Sequence, residues 1–314
     1  MKVTVLMGGW SAEREVSLVS GAGVADALRT LGHDVTKLDM GETPEAGPTL
    51  GQRLRDTNPD VVFNALHGTP GEDGTVQGLM DLIGLRYTHS GVTASAVAID
   101  KQLSKALLAP AGVRMPGGRL VQSADLYKAD PLPRPYVLKP ANEGSSVGVA
   151  IVTEDGRYPT PLTPESSGPW QHYPLLMAEP FIPGLELTVA VLEMPDGPPK
   201  ALGVTELRPK PGFYDYESKY TDGMTEHICP APIPDDIARR ACAEAVRAHA
   251  LLGCSGVSRS DFRFDPDQGE DGLYLLEVNT QPGMTPLSLV PEQARVAGIT
   301  YPELVGLIIE RALG

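Results

Sequence analysis

Asp261 and Glu277 sit in two separate apolar runs, VSRSDFRF and LYLLEVN, and Asn279 follows Glu277 by two residues. If both runs are strands, the period of two places Glu277 and Asn279 on one face, so two carboxylates and an amide oxygen can converge. Such a set suits magnesium, which takes a few carboxylate oxygens and completes its shell with phosphate and water, and suits zinc poorly. Taken alone, two surface carboxylates and a turn asparagine read equally well, but the apolar setting of Glu277 favours chemistry because a buried carboxylate needs compensation. Arg259, two residues before Asp261, faces the same side, where a guanidinium can neutralise an oxyanion or phosphate. Gly283, just beyond Asn279, can offer a backbone amide to the same charge.

Lys139, near the end of the run YVLKP, is followed after three residues by Glu143-Gly144-Ser145-Ser146-Val147-Gly148. Glycines permit close backbone approach, and the hydroxyls and amides can hydrogen-bond phosphate oxygens. The pattern GxxxxGK[ST] does not occur, so this is not a Walker loop. Lys101, in IDKQLSK, is a second candidate phosphate contact, although a solvated charge is the usual fate of either lysine. The run containing Glu179, Phe181 and Ile182 can wall a flat base, with Glu186 able to accept from ribose hydroxyls; a core strand with solvated acids fits the composition as well. Glu13 follows a glycine turn at the expected start of a helix, as a cap or as a holder of an amino-acid ammonium. His67 ends a strand beside Gly68. The loop 208–225, with Lys219, Tyr220 and two further tyrosines, has the make-up of a lid or of an ordinary surface loop.

These residues need elements to place them. VTVLMGG followed by 11–30 reads as strand, glycine turn and helix, and DVVFNAL followed by a helix over 76–83 repeats the unit, which predicts a small parallel α/β domain. Ligands in such domains sit beyond the carboxyl ends of the strands, where Glu13 and His67 fall. A helical stretch over 93–108, strands around the glycine loop, three strands between 175 and 207, a helix over 235–252, two further strands and a helix near 302–313 complete the expectation. The domains expected are 1–89, an N-terminal α/β substrate domain; 90–178, a central lobe; and 179–314, a C-terminal lobe with the metal and catalytic site. The fold class is therefore α/β and α+β.

At 314 residues the chain has room for two or three compact units with shared clefts. With 41% hydrophobic and 21% charged residues, and no apolar run of the roughly 20 residues that span a bilayer, neither disorder nor membrane insertion is expected. Gly8-Gly9 interrupts the N-terminus before a signal-peptide core can form, which predicts a cytoplasmic protein. Cys229, Cys242 and Cys254 match neither a disulfide framework nor close zinc-binding pairs. A formal charge of −14, from 26 basic and 40 acidic residues, opposes binding to nucleic acid, whose affinity comes largely from basic groups.

Together, GGWSAEREVSL, NALHGTPGEDGTVQG, LKPANEGSSVG, FYDYESKY, SRSDF and LLEVNTQPGMTPLSLVP resemble, in order and over nearly the whole chain, the D-alanine:D-alanine ligases of the ATP-grasp superfamily. The resemblance implies three lobes, with ATP between the central and C-terminal ones and two D-alanines between the N-terminal and C-terminal ones. It implies that Lys101 and Lys139 contact the ATP phosphates, that Ser146 lies in the phosphate loop, and that Glu179, Phe181, Ile182 and Glu186 surround adenine and ribose. Asp261, Glu277 and Asn279 would hold two magnesium ions, with manganese able to substitute. Glu13 would bind the ammonium of the first D-alanine, with His67 near its carboxylate, and Ser145 and Tyr220 would link Glu13 to the closing loops. Arg259 and the Gly283 amide would form the oxyanion site, and Ser288 and Leu289 would take the carboxylate of the second D-alanine.

The same resemblance implies an acyl-phosphate intermediate, a role in peptidoglycan precursor synthesis and, by the family's habit, a homodimer. Phe181 stands where many members have tryptophan, giving a smaller adenine wall, and 151–173 is short and proline-rich for that region. Ligases that make D-alanyl-D-lactate or D-alanyl-D-serine share the phosphate and metal residues; Lys219-Tyr220 matches the dipeptide-forming pattern. A nucleotide-binding module of the same fold without catalysis is the remaining alternative, disfavoured because the phosphate, metal and oxyanion positions all carry competent residues.

Overall fold

The computed structural model describes residues 1–41, 49–142, 144, 148–209 and 225–314. Near the N-terminus β1 (Lys2–Met7), β2 (Asp34–Asp39) and β3 (Val61–Asn64) form a parallel sheet in the order β2-β1-β3, connected and followed by α1 (Arg14–Thr30), α2 (Leu50–Asp56) and α3 (Thr75–Ile83). Both faces of β1 are covered, which is why its sequence is a near-continuous apolar run. Val3 and Val5 pack with Val24 and Leu28 of α1, whereas Leu6 packs with Leu54 and Met80 of α2 and α3. The expected strand VTVLM is present within β1, whereas the run DVVFNAL, expected as a strand over 60–66 that stops at His67, is a strand only as far as Asn64. β2 escapes a hydrophobic-pattern reading because most of its residues are exposed or only half-buried.

The stretch 93–108 is two helices rather than one, α4 (Val92–Ile99) and α5 (Lys101–Leu108). Asp100 leaves the helical region at φ −84°, ψ 102°, and its carboxylate accepts the backbone N–H groups of Gln102 and Leu103 at 2.9 and 3.0 Å. An aspartate cap thus starts a fresh helix with Lys101 in its first position.

A four-stranded antiparallel sheet follows, built from β4 (Arg119–Gln122), β5 (Tyr136–Pro140), β6 (Ala150–Val152) and β7 (Leu175–Pro180) in the order β4-β7-β5-β6, with the short α6 (Ser123–Leu126) after β4. The last sheet is antiparallel and five-stranded. It contains β8 (Leu185–Glu193), β9 (Pro199–Pro209), β10 (Thr225–Ile228), β11 (Val257–Phe264) and β12 (Leu273–Asn279) in the order β10-β9-β8-β11-β12. One face packs on α7 (Asp235–Leu252), burying Leu187, Val189 and Phe262 against Ile237, Ala241 and Ala245. Beyond β12 come α8 (Leu289–Val296) and α9 (Tyr301–Leu313), whose Thr300–Glu303 capping box and Pro302 fix its start.

The hydrophobic clusters cut across the division expected from sequence. A boundary after Ala178 falls inside β7, whose residues pair with β4 and β5 up to Pro180. Ala98 of α4 and Leu108 of α5 are buried with the five-stranded sheet, and Leu304, Val305 and Ile308 of α9 return to the core of the N-terminal sheet. Among the described residues no helix is long and apolar enough to cross a membrane.

Candidate active site

β11 and β12 pair so that Asp261 stands opposite Glu277 and Arg259 opposite Asn279, with a register shift just after Asp261. Alternation sends Phe262 and Phe264 into the core beside α7 and turns Arg259, Asp261 and Arg263 to the other face. There Arg259 holds Asp261 through two hydrogen bonds of 2.8 and 2.7 Å, and the Thr188 hydroxyl donates to the same carboxylate at 2.7 Å. Lys101 Nζ lies 3.3 Å from Glu277 Oε2, and Asn279 Oδ1 accepts the Gln281 N–H at 2.7 Å. Two facing carboxylates and an adjacent amide oxygen, without sulfur or imidazole, form a donor set that fits a hard cation such as magnesium. The cationic Arg259 and Lys101 contacting these same carboxylates mark the row as one that attracts positive charge.

The backbone N–H of Lys101 bonds the carbonyl of Ala141, just beyond β5, so Lys101 lies close to the end of the strand that carries Lys139. Lys139 Nζ is 2.7 Å from Glu179 Oε2, and Lys105 holds the other oxygen of the same carboxylate. Burial alone would raise the Glu179 pKa, but the two lysines outweigh it and hold the group below the ordinary glutamate value. Burial pushes Lys105 below the ordinary lysine value, although Glu179 counteracts. Next to them Arg263 lies over the Phe181 ring at 5.5 Å, donates to the carbonyls of Ile182 and Gly184 at 3.0 Å each, and pairs with Glu186 at 3.4 Å. Phe181, Ile182 and Glu186 are thereby gathered by one guanidinium.

Glu13 occupies the cap position of α1, yet its side chain makes no capping hydrogen bond and is buried. Capping is therefore not what this carboxylate does. His67, 4% exposed, lies between Glu72 (Nδ1 to Oε1, 3.4 Å) and Ser20 (Nε2 to Oγ, 3.2 Å). Burial opposes a charged imidazole, but the Glu72 carboxylate outweighs it and holds His67 above the ordinary value. Burial, reinforced by the nearby Glu13, pushes Glu72 up even though His67 draws it down. Ser11 joins the pair, its hydroxyl donating to the His67 carbonyl at 2.6 Å and accepting the Glu13 N–H at 3.2 Å. A Cβ at Gly144 would stand 3.6 Å from Glu72 and 3.8 Å from Glu13, so Gly144 lies beside these carboxylates.

After β12 the chain turns through Gly283, where a Cβ would approach the Ser288 hydroxyl to 2.8 Å. Ser288 accepts the Thr285 N–H at 2.9 Å and precedes α8. Leu289 is buried against Leu207, so its side chain packs in the interior and only its backbone, in the first turn of α8, is placed to meet an anion.

Residues 125–310 match the family model described as D-ala D-ala ligase C-terminus, and 39–90 match D-ala D-ala ligase N-terminus. The chain belongs to the D-alanine–D-alanine ligase family. It is 63% identical to the D-alanine–D-alanine ligase of Novosphingobium aromaticivorans over 313 residues, covering 100% of this chain and 96% of that protein. The corresponding protein of Rhizorhabdus wittichii is also 63% identical, with 97% of its length covered. The crystal structure of D-alanine–D-alanine ligase from Bacillus anthracis superposes with a TM-score of 0.79 at 29% identity, covering 100% of this chain and 97% of that one. The parallel sheet followed by two antiparallel sheets is the ATP-grasp architecture of this ligase family.

Of the residues singled out from sequence, Arg259, Asp261, Glu277 and Asn279 gather on one sheet face with Lys101 reaching Glu277, Lys139 meets Glu179, and Ser11 bridges Glu13 and His67. Ser145, Ser146, Lys219 and Tyr220 lie outside the described residues. Sequence reasoning missed Lys105, Glu72 and Arg263. Two signals were available: Lys105 is one helical turn beyond Lys101, and Arg263 continues the period of two from Arg259 and Asp261. Glu72, five residues after His67 in a loop, had no periodicity to mark it.

Proposed function

We propose that this chain joins two D-alanines into D-alanyl-D-alanine at the expense of ATP, through an acyl phosphate, in the cytoplasm and for peptidoglycan precursor synthesis. The observation that carries the reading is the row of Arg259, Asp261, Glu277 and Asn279 on one face of the five-stranded sheet, in register across β11 and β12. ATP use goes with membership of this ligase family. The nucleotide would lie between the four- and five-stranded sheets, and the amino acids between the five-stranded sheet and the parallel one.

In this reading Glu13 takes the ammonium of the first D-alanine, and His67, held in place by Glu72, stands near its carboxylate. That carboxylate attacks the γ-phosphorus of ATP, the bond from phosphorus to the β,γ-bridging oxygen breaks, and an acyl phosphate and ADP result, while Lys139, Lys101 and Arg259 offset the charge on the phosphates. Asp261, Glu277 and Asn279 would hold magnesium, which would neutralise phosphate oxygens when bound. The second D-alanine, its carboxylate at Ser288 and the backbone of Leu289, attacks the acyl carbon as a free amine. Arg259 and the Gly283 amide stabilise the tetrahedral oxyanion, and phosphate leaves. Ser145 and Tyr220 would link to Glu13 and Ser146 would contact the phosphates, and with Lys219 these residues would keep water from the acyl phosphate.

Product analysis tests the substrate choice. With ATP and D-alanine alone, and with D-lactate or D-serine added near neutral pH, D-alanyl-D-alanine should dominate; preferential formation of depsipeptide or of D-alanyl-D-serine would overturn it. No phosphate release dependent on both ATP and D-alanine would leave only a nucleotide-binding module.

A further inference from the structure

Ser20, fully buried in α1, touches two parts of the site at once. Its hydroxyl oxygen lies 3.2 Å from His67 Nε2 and accepts the backbone N–H of Met284 at 3.3 Å. The carbonyl of that same Met284 accepts the Tyr301 hydroxyl from α9 at 2.7 Å. On the other side of Gly283, Gln281 and Asn64 exchange hydrogen bonds: Gln281 Nε2 donates to the Asn64 carbonyl, and Asn64 Nδ2 donates to Gln281 Oε1 at 3.1 Å. Gly283 is therefore bracketed by groups from β3, α1 and α9, and the Ser288 hydroxyl beside it leaves little room to shift.

The direction of the bonds follows from the donors. The Met284 N–H can only donate, so Ser20 Oγ accepts there. The same oxygen also contacts His67 Nε2, in a direction set by the imidazole tautomer, while Glu72 occupies Nδ1. We propose that Ser20 is a positioning residue that couples the first-substrate histidine to the Gly283 amide, with Tyr301 completing the clamp on Met284. The inference rests on the roles given above to His67 and Gly283. It assigns to α1, beyond carrying Glu13 at its start, the task of setting where the oxyanion donor stands.

The test uses Ser20→Ala, Ser20→Thr and Tyr301→Phe in the full chain, with ATP and D-alanine varied separately and thermal midpoints measured alongside. Ser20→Ala should lower kcat by about 30-fold and raise KM for the first D-alanine, with KM for ATP unchanged within about twofold, because an N–H beside the oxyanion donor loses its acceptor. Ser20→Thr, which keeps the hydroxyl, should recover most of the loss. Tyr301→Phe should cost only about threefold, since a carbonyl short of one donor is tolerated better than an orphaned N–H. Affinity for a phosphinate analogue of the dipeptide, a tetrahedral mimic, should fall in parallel with kcat. Unchanged kcat and phosphinate affinity in Ser20→Ala would overturn the proposal, as would an equal loss of ATP affinity, which marks a merely structural role. Hydrogen exchange at the Met284 amide reads the clamp without turnover. Faster exchange in Ser20→Ala is expected, and unchanged protection contradicts the clamp even if the wild-type chain makes no dipeptide, an outcome that would strike the parent reading instead.

Discussion

Lys101 and Lys105, one turn apart on α5, reach carboxylates in two different sheets: Lys101 lies 3.3 Å from Glu277 on β12, and Lys105 pairs with Glu179 on β7. The helix packs with the five-stranded sheet through Leu108, yet ties itself by charge to the four-stranded one. Lys105→Met removes that tie and leaves Glu179 with Lys139 alone. Because a buried carboxylate loses one of two partners, stability should fall by about 2 kcal/mol. KM for ATP should rise about tenfold while KM for D-alanine stays put; equal changes in both would show that Lys105 does not act on the nucleotide side.

Asp261→Asn keeps the shape of the site but removes one charge from the proposed magnesium set. Turnover should drop at least about 100-fold at fixed magnesium, and the magnesium concentration for half-maximal rate should rise. The Asp261–Arg259 pair is also lost, so unfolding in denaturant should accompany the assay to separate folding from catalysis. An unchanged magnesium dependence would take Asp261 out of the metal set.

Gly283→Ala places a methyl group 2.8 Å from the Ser288 hydroxyl. Either the serine or the amide must move, so kcat should fall by about 100-fold while a non-hydrolysable ATP analogue binds as before. Full activity in this variant would show that neither group is held to its place.

Two buried histidines away from the proposed row set an acid limit on stability. Burial pushes His249 down to about 4 and His89, which also feels His67, to about 3. In the unfolded chain both protonate near the ordinary value of about 6.5. Their contribution is fully present above that value and is lost as pH falls, because there the unfolded state binds protons that the folded state refuses. The thermal midpoint should therefore decline steadily from pH 7 to pH 4, and His249→Gln should flatten part of that slope; identical slopes would rule His249 out as a cause.

The sequence was legible where periodicity or caps carry the information. The run LYLLEVN and its partner VSRSDFRF announced themselves by alternation, and the structure puts their polar residues on one face. The helix 235–252 was marked at both ends, by Pro234 and acidic residues in its first turn and by Gly253 in the left-handed region after its last. By contrast, β2 carries too few apolar residues to show, and the break at Asp100 looks from sequence like one more polar residue in a long helix. The contacts that assemble the site, Lys105 with Glu179, Ser20 with Met284 and Asn64 with Gln281, span between 74 and 264 residues. No local pattern encodes them, since each depends on how three sheets pack.

The most direct test of the central claim follows an oxygen atom. D-alanine carrying 18O in both carboxylate positions is incubated with ATP and the enzyme, and the released phosphate is analysed by mass. If the first carboxylate attacks the γ-phosphorus, one 18O should appear in phosphate for each D-alanyl-D-alanine formed, and phosphate release should depend on D-alanine. Phosphate free of 18O while dipeptide accumulates would contradict the acyl-phosphate route.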